Sequence, residues 1–127
     1  MMMNQKGSLG KLGEALATDF LIKHNHSIIG ANYYSSFGEI DIIAIKANKL
    51  KFIEVKTRKN PNVRLAENSI SLSKQKKIAN TAMHFLSKNP QYSQYDCSFD
   101  VIIIISYPEE ESYKVIYQEN AFIPECF

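Results

Sequence analysis

Cysteine is scarce in this chain. Cys97 and Cys126 are its two thiols, and they lack the paired spacing of a zinc site, so they read as free thiols of a reducing compartment. Long apolar runs are also missing. No stretch reaches the roughly 18 consecutive apolar residues of a bilayer span, and the start, MMMNQKGSLGKLGEA, has no continuous apolar core of signal length. A cytoplasmic location is expected, without a membrane partner. There is no internal repeat and no low-complexity segment. An excess of charge is absent too: a formal net charge of +2 is too small to argue for nucleic acid by itself. Hydrophobic residues at 45% and charged residues at 22% exclude a disordered chain. The 127 residues predict a single domain over 1–127, long enough to bury a real core.

What the net charge hides, its distribution reveals. Between residues 46 and 77 stand Lys46, Lys49, Lys51, Lys56, Arg58, Lys59, Arg64, Lys74, Lys76 and Lys77, against Glu54 and Glu67 alone. The acids gather elsewhere, as at Glu109, Glu110 and Glu111. A local basic surface of this kind attracts phosphate backbones. A solvated positive face is the plainer reading.

Periodicity predicts a helix over residues 9–25, with Leu9, Leu12, Leu16 and Phe20 on one stripe and Glu14 at its edge. Gly30 and Asn32 predict a turn, with a strand opening at Tyr33 and Tyr34. Strands are predicted at residues 39–45 and 50–57, joined by a tight reversal at Ala47, Asn48 and Lys49 and therefore antiparallel neighbours. Residues 59–68 read as a loop headed by Asn60 and Pro61. A second helix is predicted over 73–87, capped by Ser71 or Ser73 and stopped before Pro90. The run VIIII inside residues 98–107 is apolar on both faces, as in a central strand. Residues 113–118 alternate like an edge strand. The order α-β-β-β-α-β-β predicts an α/β fold, a mixed sheet flanked by helices.

Two apolar strands carry charge where charge is costly. In GEIDIIAI, Asp41 is set within an apolar run; in FIEVKTR, Glu54 and Lys56 share a face with Phe52. Pairing through the short reversal lets Asp41 approach Glu54. Two buried carboxylates repel, and each buried ion costs several kcal/mol unless compensated. A divalent cation is one compensator: magnesium takes carboxylate and carbonyl oxygens and keeps several waters. The Val55 carbonyl, between Glu54 and Lys56, is a candidate third ligand. Such an ion polarises a phosphoryl oxygen and generates hydroxide from water, and Lys56 can orient that water or stabilise charge on the phosphate. The alternatives are a plain Glu54–Lys56 salt bridge and an arginine partner for Asp41.

With those segments in view, the chain resembles the PD-(D/E)xK nuclease superfamily, and more closely the YraN-type family of small bacterial proteins. The resemblance rests on Gly13-Glu14 in the first helix, GEIDIIA at 38–44, FIEVKTR at 52–58 and SFDVIII at 98–104. It departs at Ser98, where that family usually has arginine, and Ile40 stands before the aspartate as is usual for the resolvase-like branch. The resemblance implies a restriction-endonuclease-like fold close to Holliday-junction resolvases. It implies Asp41 and Glu54 as ligands of Mg2+ or Mn2+, Lys56 as the catalytic lysine, Glu14 as an extra acid at the site, and Gln75 as a helix glutamine near it. Junction resolvases act as dimers, as two symmetric cuts need two sites, so the resemblance makes a homodimer one candidate and leaves the oligomeric state open. The apolar edge near residues 113–122 is a candidate interface, with core packing as its alternative.

Arg58 and Lys59 are expected to face phosphate, as are Lys74, Lys76 and Lys77 at the start of the second helix, where the dipole disfavours lysine but favours phosphate. Asp100 is expected to make a structural hydrogen bond, and His24, His26 and His84 to serve in packing or at the surface. Tyr33 and Tyr34 suit stacking on unpaired bases or sheet packing. The function expected is metal-dependent hydrolysis of phosphodiester bonds in DNA, of branched or single-stranded form. The alternatives are a non-catalytic nucleic-acid-binding accessory protein and a structural adaptor.

Overall fold

A computed structural model describes residues 8–59 and 70–125. Its elements run α1 (Ser8–Lys23), β1 (Ser27–Tyr34), β2 (Glu39–Lys46), β3 (Lys49–Arg58), α2 (Leu72–Lys88), β4 (Asp96–Tyr107) and β5 (Ser112–Phe122), with 3-10 turns at Pro90–Tyr92 and Pro108–Glu110. The strands form one sheet in the order β1-β2-β3-β4-β5. Only β3 and β4 pair in parallel; the other neighbours are antiparallel. The fold is thus α/β, a five-stranded mixed sheet flanked by two helices, in the expected order.

Strand alternation divides the core between the two faces. Ile43, Leu50, Phe52, Val101 and Ile103 pack with Ile78, Ala82 and Phe85 of α2. Ile42, Ala44, Ile53, Ile102 and Ile104 pack with Ala17 and Leu21 of α1. Residues 101–105 are therefore buried whichever way they point, which is why β4 reads as an unbroken aliphatic run. Phe52 stacks on Phe99 at 5.3 Å and meets Phe85 edge-on at 6.1 Å. Burying each such ring contributes about 1.5–3 kcal/mol.

The ends of elements follow local chemistry. Helix α1 stops at Lys23, short of the expected residue 25, because Asn25 turns left-handed at φ 66. His26 N–H then reaches the Leu21 carbonyl and Asn25 N–H that of Ile22, the paired bonds of a Schellman cap. Helix α2 is capped by Ser71 rather than Ser73; the Ser71 hydroxyl accepts from Lys74 N–H at 3.2 Å. The β2–β3 reversal takes two residues, Ala47 and Asn48, between the paired Lys46 and Lys49, with Ala47 at φ 55.

The expected turn at Gly30 and Asn32 is instead the interior of β1, which begins at Ser27. A bulge between Ile28 and Gly30, and Asn32 at φ 50, place turn-type residues inside a paired strand. Edge strand β5 is longer than expected. The predicted loop at 59–68 falls almost wholly outside the described residues, as does Cys126.

Candidate active site

The β2–β3 register pairs Ile42 with Ile53, so the next step along the hairpin sets Asp41 opposite Glu54. There the ladder opens. Asp41 Oδ2 accepts the Val55 backbone N–H at 2.8 Å, in place of a bond to the β2 backbone. Both acids are buried, Asp41 4% and Glu54 6% exposed. Their side chains are hydrogen-bonded, and Glu54 is pushed up to about 7, by burial first and then by the charge and hydrogen bond of Asp41. The opposing influence comes from α2: Lys74 Nζ lies 2.5 Å from Glu54 Oε2. Burial pulls the Lys74 ammonium down, but its hydrogen bond to Glu54 and the charges of Glu54, Asp41 and Glu39 outweigh that and hold it above its ordinary value.

A groove of about 430 Å³ opens beside this pair, lined by Leu9, Gly10, Glu14, Glu54 to Arg58 and Lys74. Glu14 reaches it because α1 runs close to β3: a Cβ on Gly13 would collide with Oγ1 of Thr57. The Gly-Glu step of the first helix thus has a steric reason. Lys56 is held below the usual lysine range by burial and by the neighbouring charge of Arg58. Arg58 itself donates to the Thr57 carbonyl at 3.0 Å. A second groove of about 330 Å³ shares Glu54 and Lys74 and adds Gly38, Glu39, Ser71, Ser73 and Lys77.

The structure therefore brings together Glu14, Glu54, Val55, Lys56, Arg58 and Lys74, with Asp41 bonded behind them and Lys77 in the adjoining groove. It does not bring in Gln75, whose amide donates to the Ile70 carbonyl at 2.9 Å. Gln75 and Lys76 line the opposite flank of α2, against Ile123, Pro124 and Glu125. Lys59 is exposed just beyond β3. Glu14 does not complete a three-acid cluster: among the described residues no group of three His, Cys, Asp or Glu is close enough to hold a metal ion. What the site offers such an ion is a carboxylate pair with a neighbouring backbone carbonyl, a set that suits magnesium, which takes one or two carboxylates and retains waters. The Lys74 ammonium stands in for a cation at one of those carboxylates.

Sequence reasoning counted Lys51 in the basic surface, yet Lys51 is 2% exposed. It lies 3.3 Å from Asp100 and from Glu119 and donates to the Tyr117 hydroxyl at 3.1 Å. Asp100 also accepts from Ser98, Tyr117 and the Asn120 N–H. This network ties β3, β4 and β5 together on the α1 face, away from the groove. A lysine flanked by apolar residues in a strand gave no sign of it, because its partner lies 49 residues away. The histidines pack: His24 on Phe20, His26 under Tyr117 with its ring nitrogen on the Leu21 carbonyl, His84 against Tyr33.

Fold and site together define a small α/β protein with a buried carboxylate pair and flanking lysines at one end of its sheet. The chain belongs to the uncharacterised protein family UPF0102, whose model matches residues 13–104; this is the YraN-type family its motifs point to. It is 41% identical over 120 residues to the UPF0102 protein of Dictyoglomus turgidum, covering 94% of this chain and 100% of that one. It is 38% identical to UPF0102 protein CPE1705 of Clostridium perfringens, covering 95% and 98%. With UPF0102 protein ABAYE2669 of Acinetobacter baumannii it shares 44% over 94 residues, 74% and 71% of the two chains. No helix among the described residues is long and apolar enough to cross a membrane.

Proposed function

We propose that this protein is a metal-dependent nuclease of the PD-(D/E)xK kind, with a restriction-endonuclease-like fold, that hydrolyses phosphodiester bonds in DNA. The observation that carries the reading is the buried Asp41–Glu54 pair, bonded to the Val55 N–H and opening on a groove shared with Lys56. A protein with about 5–15 kcal/mol of total stability keeps such a pair at a cost, and costly perturbed carboxyls cluster at functional sites. Asp41 and Glu54, with the Val55 carbonyl, would hold Mg2+ or Mn2+, which supplies Lewis acidity toward a phosphoryl oxygen and toward water.

The chain's own groups supply the rest. Lys74, Lys77 and Arg58 attract the backbone into the grooves. Lys56, whose depressed pKa makes it a readier proton donor, stabilises charge on the phosphate or orients water. Glu14 borders the same groove and tunes the site. The water oxygen forms the new bond to phosphorus and releases a proton to solvent, the bond to the leaving sugar oxygen breaks, and that oxygen takes up a proton from solvent or from Lys56.

One observation favours a second reading. Lys74 neutralises Glu54 without any ion, as a nucleic-acid-binding accessory protein with this fold and no cleavage would need. A cleavage panel separates the two: single-stranded, duplex, flap and four-way-junction DNA, with magnesium, manganese or EDTA, parent beside Asp41→Asn. The nuclease cuts with metal, and Asp41→Asn abolishes cutting. Binding that falls with salt, with no cutting of any substrate, selects the accessory reading.

A further inference from the structure

The turn joining β1 to β2 carries two large side chains that the core does not use. Phe37 is 50% exposed and Tyr34 is 55% exposed. A lone exposed apolar residue is ordinary, but this turn is pinned. Ser35 N–H bonds the Gly38 carbonyl at 2.9 Å, and Phe37 N–H bonds Ser35 Oγ at 3.0 Å. Ser35 Oγ also meets Thr81 Oγ1 at 3.0 Å, and Thr81 in turn donates to the Lys77 carbonyl at 2.8 Å. Gly38 lies against α2, where an added Cβ would sit in ordinary contact, 3.4 Å from Cβ of Lys77. The Tyr34 hydroxyl is engaged by Glu39. The turn is thus braced on a helix, and its aromatic residues stay in solvent.

The turn also adjoins the site. Gly38 and Glu39 form one wall of the 330 Å³ groove that contains Lys74, Lys77 and Glu54. Glu54 and Lys74 continue into the 430 Å³ groove with Lys56 and Arg58. A path that carries Lys77, Lys74, Lys56 and Arg58, with Glu39, Glu54 and Glu14 among them, thus runs from Gly38, the neighbour of Phe37, past the acid pair to the end of β3. Cations that track a backbone beside aromatic faces that take bases are the working parts of a single-strand site.

We propose that the β1–β2 turn, through Phe37 with Tyr34 beside it, is a stacking platform for unpaired bases, so that the grooves take nucleic acid that is single-stranded there. The inference rests on the nucleic-acid reading of the grooves and narrows it. A duplex buries its base faces against each other and offers a ring on the protein surface nothing to stack on. An unpaired base offers a whole face, and each base so stacked is worth about 1–3 kcal/mol.

The test is binding alone, by fluorescence anisotropy in EDTA, which prevents cutting. A labelled single-stranded oligonucleotide is compared with its duplex, using parent, Phe37→Ala and Phe37→Trp. Single-strand affinity is expected to fall about 5- to 150-fold in Phe37→Ala, the equivalent of that stacking energy, with duplex affinity unchanged. Phe37→Trp is expected to keep or exceed parental affinity, and circular dichroism melting to show all three folded alike. Equal losses on both probes, no loss on either, or a parent that prefers duplex would overturn the platform. A parent that binds neither probe would overturn the nucleic-acid reading and the platform with it. Phe37-dependent single-strand binding in a protein that never cuts would leave the platform standing and remove only the cleavage.

Discussion

Replacing Glu54 by glutamine removes a charge and almost no volume. In the parent, the Glu54 carboxyl is held at about 7 instead of its ordinary 4.5, by burial and by Asp41. At 1.36 kcal/mol per unit, ionising it in the folded protein costs roughly 3 kcal/mol more than in the unfolded chain. The sign follows from linkage. Between pH 4.5 and about 7 the folded parent binds more protons at this position than the unfolded chain does, so the contribution is fully present at low pH and lost as pH rises through the window. Glu54→Gln has no such loss. The metal-free variant is expected to match the parent near pH 4.5 and to exceed it by about 3 kcal/mol above pH 7, a rise in Tm on the order of 10 °C. Urea unfolding in EDTA at several pH values measures the difference; titrating groups remote from Glu54 cancel between the two proteins, whereas Asp41 and Lys74, which interact with it, are part of the measured difference. A difference that does not change with pH, or a variant less stable than the parent at pH 8, would show that Lys74 keeps Glu54 as a settled carboxylate and would refute the argument. A variant that gains stability and loses cutting would show what the site costs the fold.

Two further perturbations bear on the same region. Lys74→Met removes the ammonium that neutralises Glu54; calorimetric Mn2+ binding is expected to tighten about tenfold, ~1.4 kcal/mol, whereas unchanged or weaker binding would place Lys74 among the groups that help an ion. Gly13→Ala drives a methyl into Thr57 and is expected to cost about 1–3 kcal/mol, partly offset by the ~1 kcal/mol that alanine gains in a helix. Adding Thr57→Ala should restore most of that loss in a double-mutant cycle, and simple additivity would show that the contact is not the cause.

The acid pair was legible in sequence because its geometry is local. A two-residue reversal fixes the β2–β3 register, and the spacing of Asp41 from Glu54 then leaves no freedom in who meets whom. The aliphatic run of β4 was legible for a similar reason, since burial on both faces leaves no periodicity to misread. The start of β1 was not, because a bulge and a left-handed Asn32 carry the residues of a turn without making one. The seating of α2 was legible only in part. Ile78, Ala82 and Phe85 decide how the helix seats on the sheet, and that seating sends Lys74 to Glu54 and Gln75 to the far flank. The apolar stripe does mark Lys74, which lies four residues before Ile78; the expectation for Gln75 came from the resemblance and not from that stripe.

The irregular end of β5 has a consequence for assembly. Between Phe99–Phe122 and Val101–Gln118 the pairing breaks step, Asn120 turns left-handed at φ 50, and its N–H goes to the Asp100 carboxylate. An outer strand normally presents a regular row of unsatisfied amides that invites another chain to extend the sheet. Here that row is kinked near its end, and Lys114 and Glu119 stand exposed along the strand. The polar network that anchors β5 inward thereby also spoils it as a template. It makes this rim a poor place for open-ended polymerisation.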